Sequence, residues 1–306
     1  MTNSKFFEFA DHLLTQFNRG LPIASTQILA KQACLFNLEP GRDYTDFKSL
    51  YDLAELAMNW HISKRCASMT SIEQITAIID ECINVLPNET ERSVDQSIYQ
   101  QFSTPLDLAW MMTLLAQVNQ QSVVIDPSAG TGTLLSFLPF FKPRLTIANE
   151  ISPFRNGLLA NSGFDQCFKE DGTMIHFMPK FQQTKINTVI MNPPFSRSHL
   201  TGTKKDIKAG ANHIIAAYQM LQPSGRLVLL INNSFTTSSK AFKHLTANIR
   251  NYHIPINAQV NPNAFKKKGT KFPTRIIVID KSDSSAPLYA DSQIDLNSTL
   301  QYLKLS

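Results

Sequence analysis

The chain has 306 residues, 43% hydrophobic and 17% charged, a composition that fits a soluble globular protein and excludes disordered, collagenous and membrane-spanning classes. No stretch approaches the ~20 apolar residues needed to cross a bilayer, and residues Met1 to Glu8 lack a basic region followed by an apolar core. The net charge of +5 is uneven: residues 1–95 carry 8 Lys/Arg against 13 Asp/Glu, residues 96–306 carry 21 against 11, and residues 196–281 carry 14 against 2.

The basic C-terminal half predicts a polyanionic partner, because phosphate neutralisation supplies most sequence-independent nucleic-acid affinity. Charge alone is equally compatible with an ordinary basic face. Cys34, Cys66, Cys82 and Cys167 form no Cys-x-x-Cys pair and no zinc-like spacing with histidine. They read as buried thiols in a reducing compartment, so a cytoplasmic protein without a metal site is expected.

In chain order, residues 1–92 read as helical. Phe6, Phe9, Leu13, Leu14 and Phe17 recur at helical spacing, followed by Ile28, Leu29 and Leu35, by Leu50, Leu53, Leu56 and Ala57, and by Ile72, Ile75, Ile79 and Ile83. Breaks fall at Gly20-Leu21-Pro22, at Glu39-Pro40-Gly41 and at Ser68–Ser71, where Ser71 offers an N-cap with Glu73 behind it. A four-helix acidic bundle over 1–92, a polar linker at Leu86–Glu91 and a second domain over 93–306 follow from this pattern.

From residue 122 short apolar runs alternate with helical segments, the pattern of a parallel sheet wrapped by helices. The predicted strands are Ser122–Asp126, Leu145–Asn149, Cys167–Glu170, Thr188–Met191, Arg226–Ile231, Ala258–Asn261 and Arg275–Asp280. They predict an α/β fold, a seven-stranded doubly wound sheet with a small N-terminal helical bundle. Only 13 residues, Pro262–Thr274, separate the last two strands, so the final strand is expected to run antiparallel at or near the sheet's edge.

The first strand leads into Asp126-Pro127-Ser128-Ala129-Gly130-Thr131-Gly132, a small-residue turn predicted to open a helix and to let the backbone approach a nucleotide-like ligand closely. It lacks both the Gly-x-x-x-x-Gly-Lys and the Gly-x-Gly-x-x-Gly patterns. Glu150 and Asp171 end the next two strands, where a carboxylate can accept ribose hydroxyls or an adenine amine. The fourth strand runs into Asn192-Pro193-Pro194-Phe195. The prolines fix the backbone, the Asn192 side-chain carbonyl and the Pro193 backbone carbonyl form a pair of acceptors for an NH₂ group, and Phe195 can stack on the attached ring.

These elements resemble, in order, the γ-group of N6-adenine DNA methyltransferases, which includes the modification subunits of type I restriction systems. The matching residues are Gln101-Phe102-Ser103-Thr104-Pro105, Asp126–Gly132, Glu150, Asp171, Asn192–Phe195 and Phe265, within roughly residues 96–281. The resemblance implies a Rossmann-like S-adenosylmethionine (SAM) methyltransferase sheet. Phe102, Thr104 and Pro105 would close over the methionine end of SAM, Asp126, Ser128, Ala129, Gly130 and Gly132 would cradle it, Glu150 would bind its ribose and Asp171 its adenine. Asn192, Pro193 and Pro194 would form the clasp for the target amine, with Phe195 and Phe265 on the two faces of the base.

Since adenine's amine lies inside a duplex, such an enzyme must flip the base out. Arg197, Lys204, Lys205, Lys208, Lys266, Lys267, Lys268 and Lys271 are the candidate phosphate contacts. None of the seven histidines is assigned to catalysis, and His199 and His213 lie near the site only in sequence. The family usually carries a target-recognition region, and only 26 residues follow the last predicted strand. The bundle is therefore read as a structural cap or as a dock for a specificity subunit. A methyltransferase acting on RNA or on a protein glutamine, and a non-catalytic SAM- or DNA-binding subunit, are the alternatives.

Overall fold

The computed structural model describes residues 4–39, 47–87, 103–194, Asp206, 208–260, 273–282, 293–294 and Thr299. Four helices open it: α1 (Ser4–Asn18), α2 (Thr26–Cys34), α3 (Phe47–Cys66) and α4 (Ile72–Cys82). Helix α1 buries Phe9, Leu13, Leu14 and Phe17, the stripe its spacing predicts. Ser71 caps α4, but its reciprocal partner in the capping box is Gln74, which occupies the third helical position, and not Glu73. The boundary expected near residue 92 lies outside the described residues.

After α5 (Leu106–Leu115) come β1 (Val123–Asp126), α6 (Leu138–Phe141), β2 (Leu145–Asn149), α7 (Pro153–Leu159), β3 (Gln166–Phe168), α8 (Pro179–Gln183) and β4 (Ile186–Met191). Then follow α9 (Ala209–Met220), β5 (Leu221–Asn232), α10 (Lys240–Asn248), β6 (Tyr252–Val260), β7 (Thr274–Lys281) and the two-residue β8 (Gln293–Ile294). The order across the sheet is β3-β2-β1-β4-β5-β7-β6-β8. From β1 the chain steps outward to β2 and β3, then returns to place β4 on the other side of β1. That reversal opens a crevice at the carboxyl ends of β1 and β4, the place where doubly wound sheets bind ligands.

Among the described residues the predicted seven strands are all present, and β8 is an addition. Strand β7 runs antiparallel near the edge as expected, inserted between β5 and β6. Its run Ile276-Ile277-Val278-Ile279 is buried on both faces, and such a strand needs neighbours and covering layers on all sides. Strand β6 begins at Tyr252, six residues before its predicted start at Ala258, and β5 begins at Leu221, ahead of Pro223-Ser224-Gly225.

One hydrophobic cluster joins Phe9, Leu13, Leu53 and Ile62 of the helical bundle to Trp110, Val124, Phe137 and Ile190 on one face of the sheet. A second cluster, on the other face, packs Ile125, Val189 and Ile277 against Ile214, Tyr218, Phe242 and Leu245. All four cysteines are free. Cys66 and Cys82 are buried, which pushes their thiols up to about 12 and about 11, but Cys34 is exposed and Cys167 half-buried, against the expectation that all four are buried. Helix α2 carries Cys34 and presents that side to solvent. Among the described residues no helix is long and apolar enough to cross a membrane.

Candidate active site

Strand β1 delivers Asp126 to the crevice with only 1% of its surface exposed. The amide of Ser128 donates to Oδ1 of Asp126 at 2.9 Å, and the amide of Ala129 donates to the Asn149 carbonyl at 2.8 Å. Gly130 and Gly132 both adopt positive φ, +59° and +90°. At Gly132 a Cβ would come within 2.8 Å of the Phe164 ring, so both conformation and space require glycine there. The turn continues as a single 3-10 turn at Thr133–Leu135 instead of the helix the sequence predicts, and α6 starts only at Leu138.

Glu150, at the end of β2, is buried and braces this loop. Its Oε2 accepts from the Gly130 amide at 2.9 Å and its Oε1 from the Ser152 amide at 2.8 Å. Burial raises its pKa above the usual carboxylate value, with the Arg155 guanidinium opposing. Burial likewise pushes Asp126 up to about 8, against the stabilising amide of Ser128 and with the charge of Glu150 adding to the rise. The Oδ2 of Asp126 and the Oγ of Ser128 are buried without a partner among the described residues. Unpaired buried polar atoms cost stability, and at a crevice they are groups that a polar ligand can satisfy.

Past β3, Asp171 turns the chain by accepting at Oδ1 from both the amide and the hydroxyl of Thr173, each at 2.9 Å. The Asn149 side chain, which sequence reasoning gave no role, ties three strand ends together. Its Nδ2 donates to the Pro127 and Glu170 carbonyls, both at 3.0 Å, and its Oδ1 accepts from the Glu170 amide at 2.9 Å. His213 is close in space as well as in sequence, correcting the earlier reading: a Cβ on Gly172 would meet its Nδ1 at 2.8 Å. The reason is that α9 runs beneath the loops after β1 and β3 and carries His213 on its buried face.

At the end of β4, Asn192 is half-buried and Pro193 is buried. The Asn192 Nδ2 donates to Thr104 Oγ1 at 3.1 Å, so the segment before α5 and the turn after β4, 88 residues apart, meet at the crevice. Lys208 is exposed and caps α9. Phe102, Phe195, Arg197, Lys204, Lys205, Phe265, Lys266, Lys267, Lys268 and Lys271 lie outside the described residues.

Residues 107–258 match the family model of the methyltransferase small domain. The fold is similar to that of a Listeria monocytogenes protein assigned to the class I SAM-dependent methyltransferases, with a TM-score of 0.55 and 16% identity over 99% of this chain and 97% of that one. The match places a methyltransferase domain at residues 107–258, and the fold is that of the SAM-dependent class. The fold is also similar to that of DrdV, solved in complex with DNA, with a TM-score of 0.50 and 12% identity. All of this chain matches, over 44% of that protein. No curated protein matches the chain in sequence.

The site fits the cofactor of the methyltransferase. SAM brings an ammonium, a carboxylate and ribose hydroxyls, and the crevice offers the unsatisfied Asp126 Oδ2 and Ser128 Oγ beside a glycine-lined loop. The residues missed in the sequence lie on α3: Asp52, Glu55 and Asn59 are buried and bond to the loop that follows β1 or to its supports. The signal was present as polar residues in the otherwise apolar run Leu50–Met58, but hydrophobic periodicity alone does not show that a carboxylate is buried.

Proposed function

We propose that the methyltransferase transfers its methyl group to the N6 amine of adenine in DNA. The observation that carries this reading is the placement of Asn192 and Pro193 at the carboxyl end of β4, across the crevice from the loop after β1, with the Asn192 amide nitrogen held by Thr104. Donation through Nδ2 turns Oδ1 of the same amide the opposite way, as an acceptor. SAM supplies an activated sulfonium methyl. The adenine amine is a poor nucleophile because its lone pair is delocalised into the ring, and what the residues must provide is position and polarisation.

In this reading Asn192 Oδ1 and the Pro193 carbonyl accept hydrogen bonds from the two amine N–H groups, which localises the lone pair and fixes its direction. SAM would supply the methyl group and leave as the neutral thioether, while these residues would hold the amine as its displaced proton passes to solvent. Phe195 and Phe265 recover the stacking lost when the base leaves the duplex, and Glu150, Asp171, Thr104 and Pro105 hold the donor. The surplus of 14 Lys/Arg over 2 Asp/Glu in residues 196–281 supplies phosphate contacts, among them Lys208 and the Lys266–Lys268 run. DrdV, similar in fold, was solved with DNA. The acidic bundle is the proposed face for a recognition partner.

Incubating the full chain with methyl-labelled SAM and duplex DNA, RNA or a protein extract tests the substrate. Label is expected in DNA. Label in RNA or protein, with DNA blank, contradicts the assignment.

A further inference from the structure

Helix α3 presents a polar stripe at Asp52, Glu55, Asn59 and Ser63, positions that share one face of a helix. Each of the four reaches the loop after β1 or an element that braces it. Glu55 Oε2 accepts from the Thr131 hydroxyl at 2.6 Å and from the Ser103 hydroxyl at 2.7 Å. Asn59 Nδ2 donates to the Thr131 carbonyl at 2.9 Å and to Thr133 Oγ1 at 3.2 Å. Ser63 Oγ donates to the Ser136 carbonyl at 3.0 Å.

Asp52 takes a bidentate pair from Arg155, Nε to Oδ2 and Nη2 to Oδ1, both at 2.8 Å, and Lys48 Nζ adds a third contact at 2.8 Å. Burial would raise the Asp52 carboxyl, yet Arg155 and Lys48 hold it below its usual value. Arg155 in turn lies beside Gly130, where a Cβ would stand 3.6 Å from its Nη1.

Burying two carboxylates and an amide to hold one helix against another is expensive, and an apolar seam would serve a simple cap as well or better. Here every polar group on the stripe is aimed at the glycine loop or its neighbours. Glu55 also touches the residue next to Thr104, and Thr104 holds Asn192. A single carboxylate oxygen therefore links the donor cradle, through Thr131, to the amine clasp, through Ser103-Thr104.

We propose that α3 is a working part of the cofactor site. Asp52, Glu55 and Asn59 act as positioning residues that set the loop Gly130–Thr133 and the strap Ser103–Pro105 in the conformation that binds SAM, and Glu55 fixes the spacing between the methyl donor and Asn192. The inference rests on the SAM-methyltransferase reading and deepens it, because it gives the N-terminal helices a role in binding.

Calorimetric titration of SAM into the full chain tests this, with hydrogen exchange at the Gly130 and Thr131 amides of the ligand-free protein as a second readout. Glu55→Ala and Asn59→Ala should each raise the Kd for SAM about tenfold with the binding stoichiometry unchanged, the scale expected for a lost buried hydrogen bond. Exchange at the two amides should rise. Glu55→Gln keeps a carbonyl oxygen for both hydroxyls and should recover most of the affinity.

A helix that only supports the fold would instead lower the fraction of molecules that bind and leave the Kd of the rest untouched. If Glu55→Ala does not fold, Glu55→Gln and Asn59→Ala carry the same comparison. Unchanged Kd and unchanged exchange in the folded variants overturn the proposal. Absence of SAM uptake by the unsubstituted chain overturns instead the cofactor reading on which it stands.

Discussion

The two ends of the sheet are built differently. At the amino end of the parallel strands every charge named has a partner: Arg226 makes a bidentate pair with Asp280 at 2.7 and 2.9 Å and reaches the Leu115 carbonyl at 3.1 Å, and Lys281 binds the Leu221 and Tyr218 carbonyls. At the carboxyl end Asp126 is pushed up to about 8 by burial, and among the described residues one of its oxygens and the Ser128 hydroxyl have no partner. The first arrangement closes the structure. The second leaves buried polar groups where a ligand can use them, so the perturbed Asp126 marks a site, with Glu150 bracing the loop beside it.

Substitutions at the two ends should separate function from stability. The largest effect is expected from Asn192→Ala, which removes one of two acceptors at the amine. Turnover should fall by about 10²–10³-fold, the scale of losing one preorganised hydrogen-bonding group, while calorimetry records SAM affinity near that of the parent. Next comes Gly132→Ala, which forces a Cβ to within 2.8 Å of Phe164 at φ +90°. It should cost about 1–3 kcal/mol of stability and weaken SAM uptake, both readable from thermal melts with and without SAM.

At the opposite end, Asp280→Ala strands the Arg226 guanidinium. It should lower stability by about 1–3 kcal/mol and leave the Kd for SAM unchanged. A shift in that Kd would show that the two ends are coupled.

The smallest effect is a pH dependence. A carboxyl whose pKa is raised in the fold contributes stability that is complete below its ordinary value of 3.8 and is lost as pH rises through about 8. The melting midpoint of the ligand-free protein should therefore fall between about pH 4 and 8 more steeply than that of Asp126→Asn, and level off above. Parallel curves for the two proteins would place the titration elsewhere.

The contrast also explains what was legible in the sequence. Elements whose chemistry is local could be read directly: prolines after Asn192, glycines at 130 and 132, and strand-end carboxylates at 126 and 150 each impose their own backbone or charge. The run from Arg275 to Ile279 was legible as a strand, but its slot between β5 and β6 was not, because insertion depends on what covers both faces. The early starts of β5 and β6 take in Pro223-Ser224-Gly225 and Pro255, residue types that ordinarily interrupt a strand.

The polar stripe on α3 was the least legible. Asp52 bonds Arg155 across 103 residues and Glu55 bonds Thr131 across 76, and no window of sequence contains both members of either pair.

The central claim is that the turn after β4 clasps an adenine amine opposite the cofactor loop. Mass spectrometry of nucleosides released from duplex DNA, after incubation with the full chain and SAM, tests it most directly. The account predicts N6-methyladenine with the parent chain and almost none with Asn192→Ala. Equal yields from the two proteins, or methylation confined to another base, would contradict it.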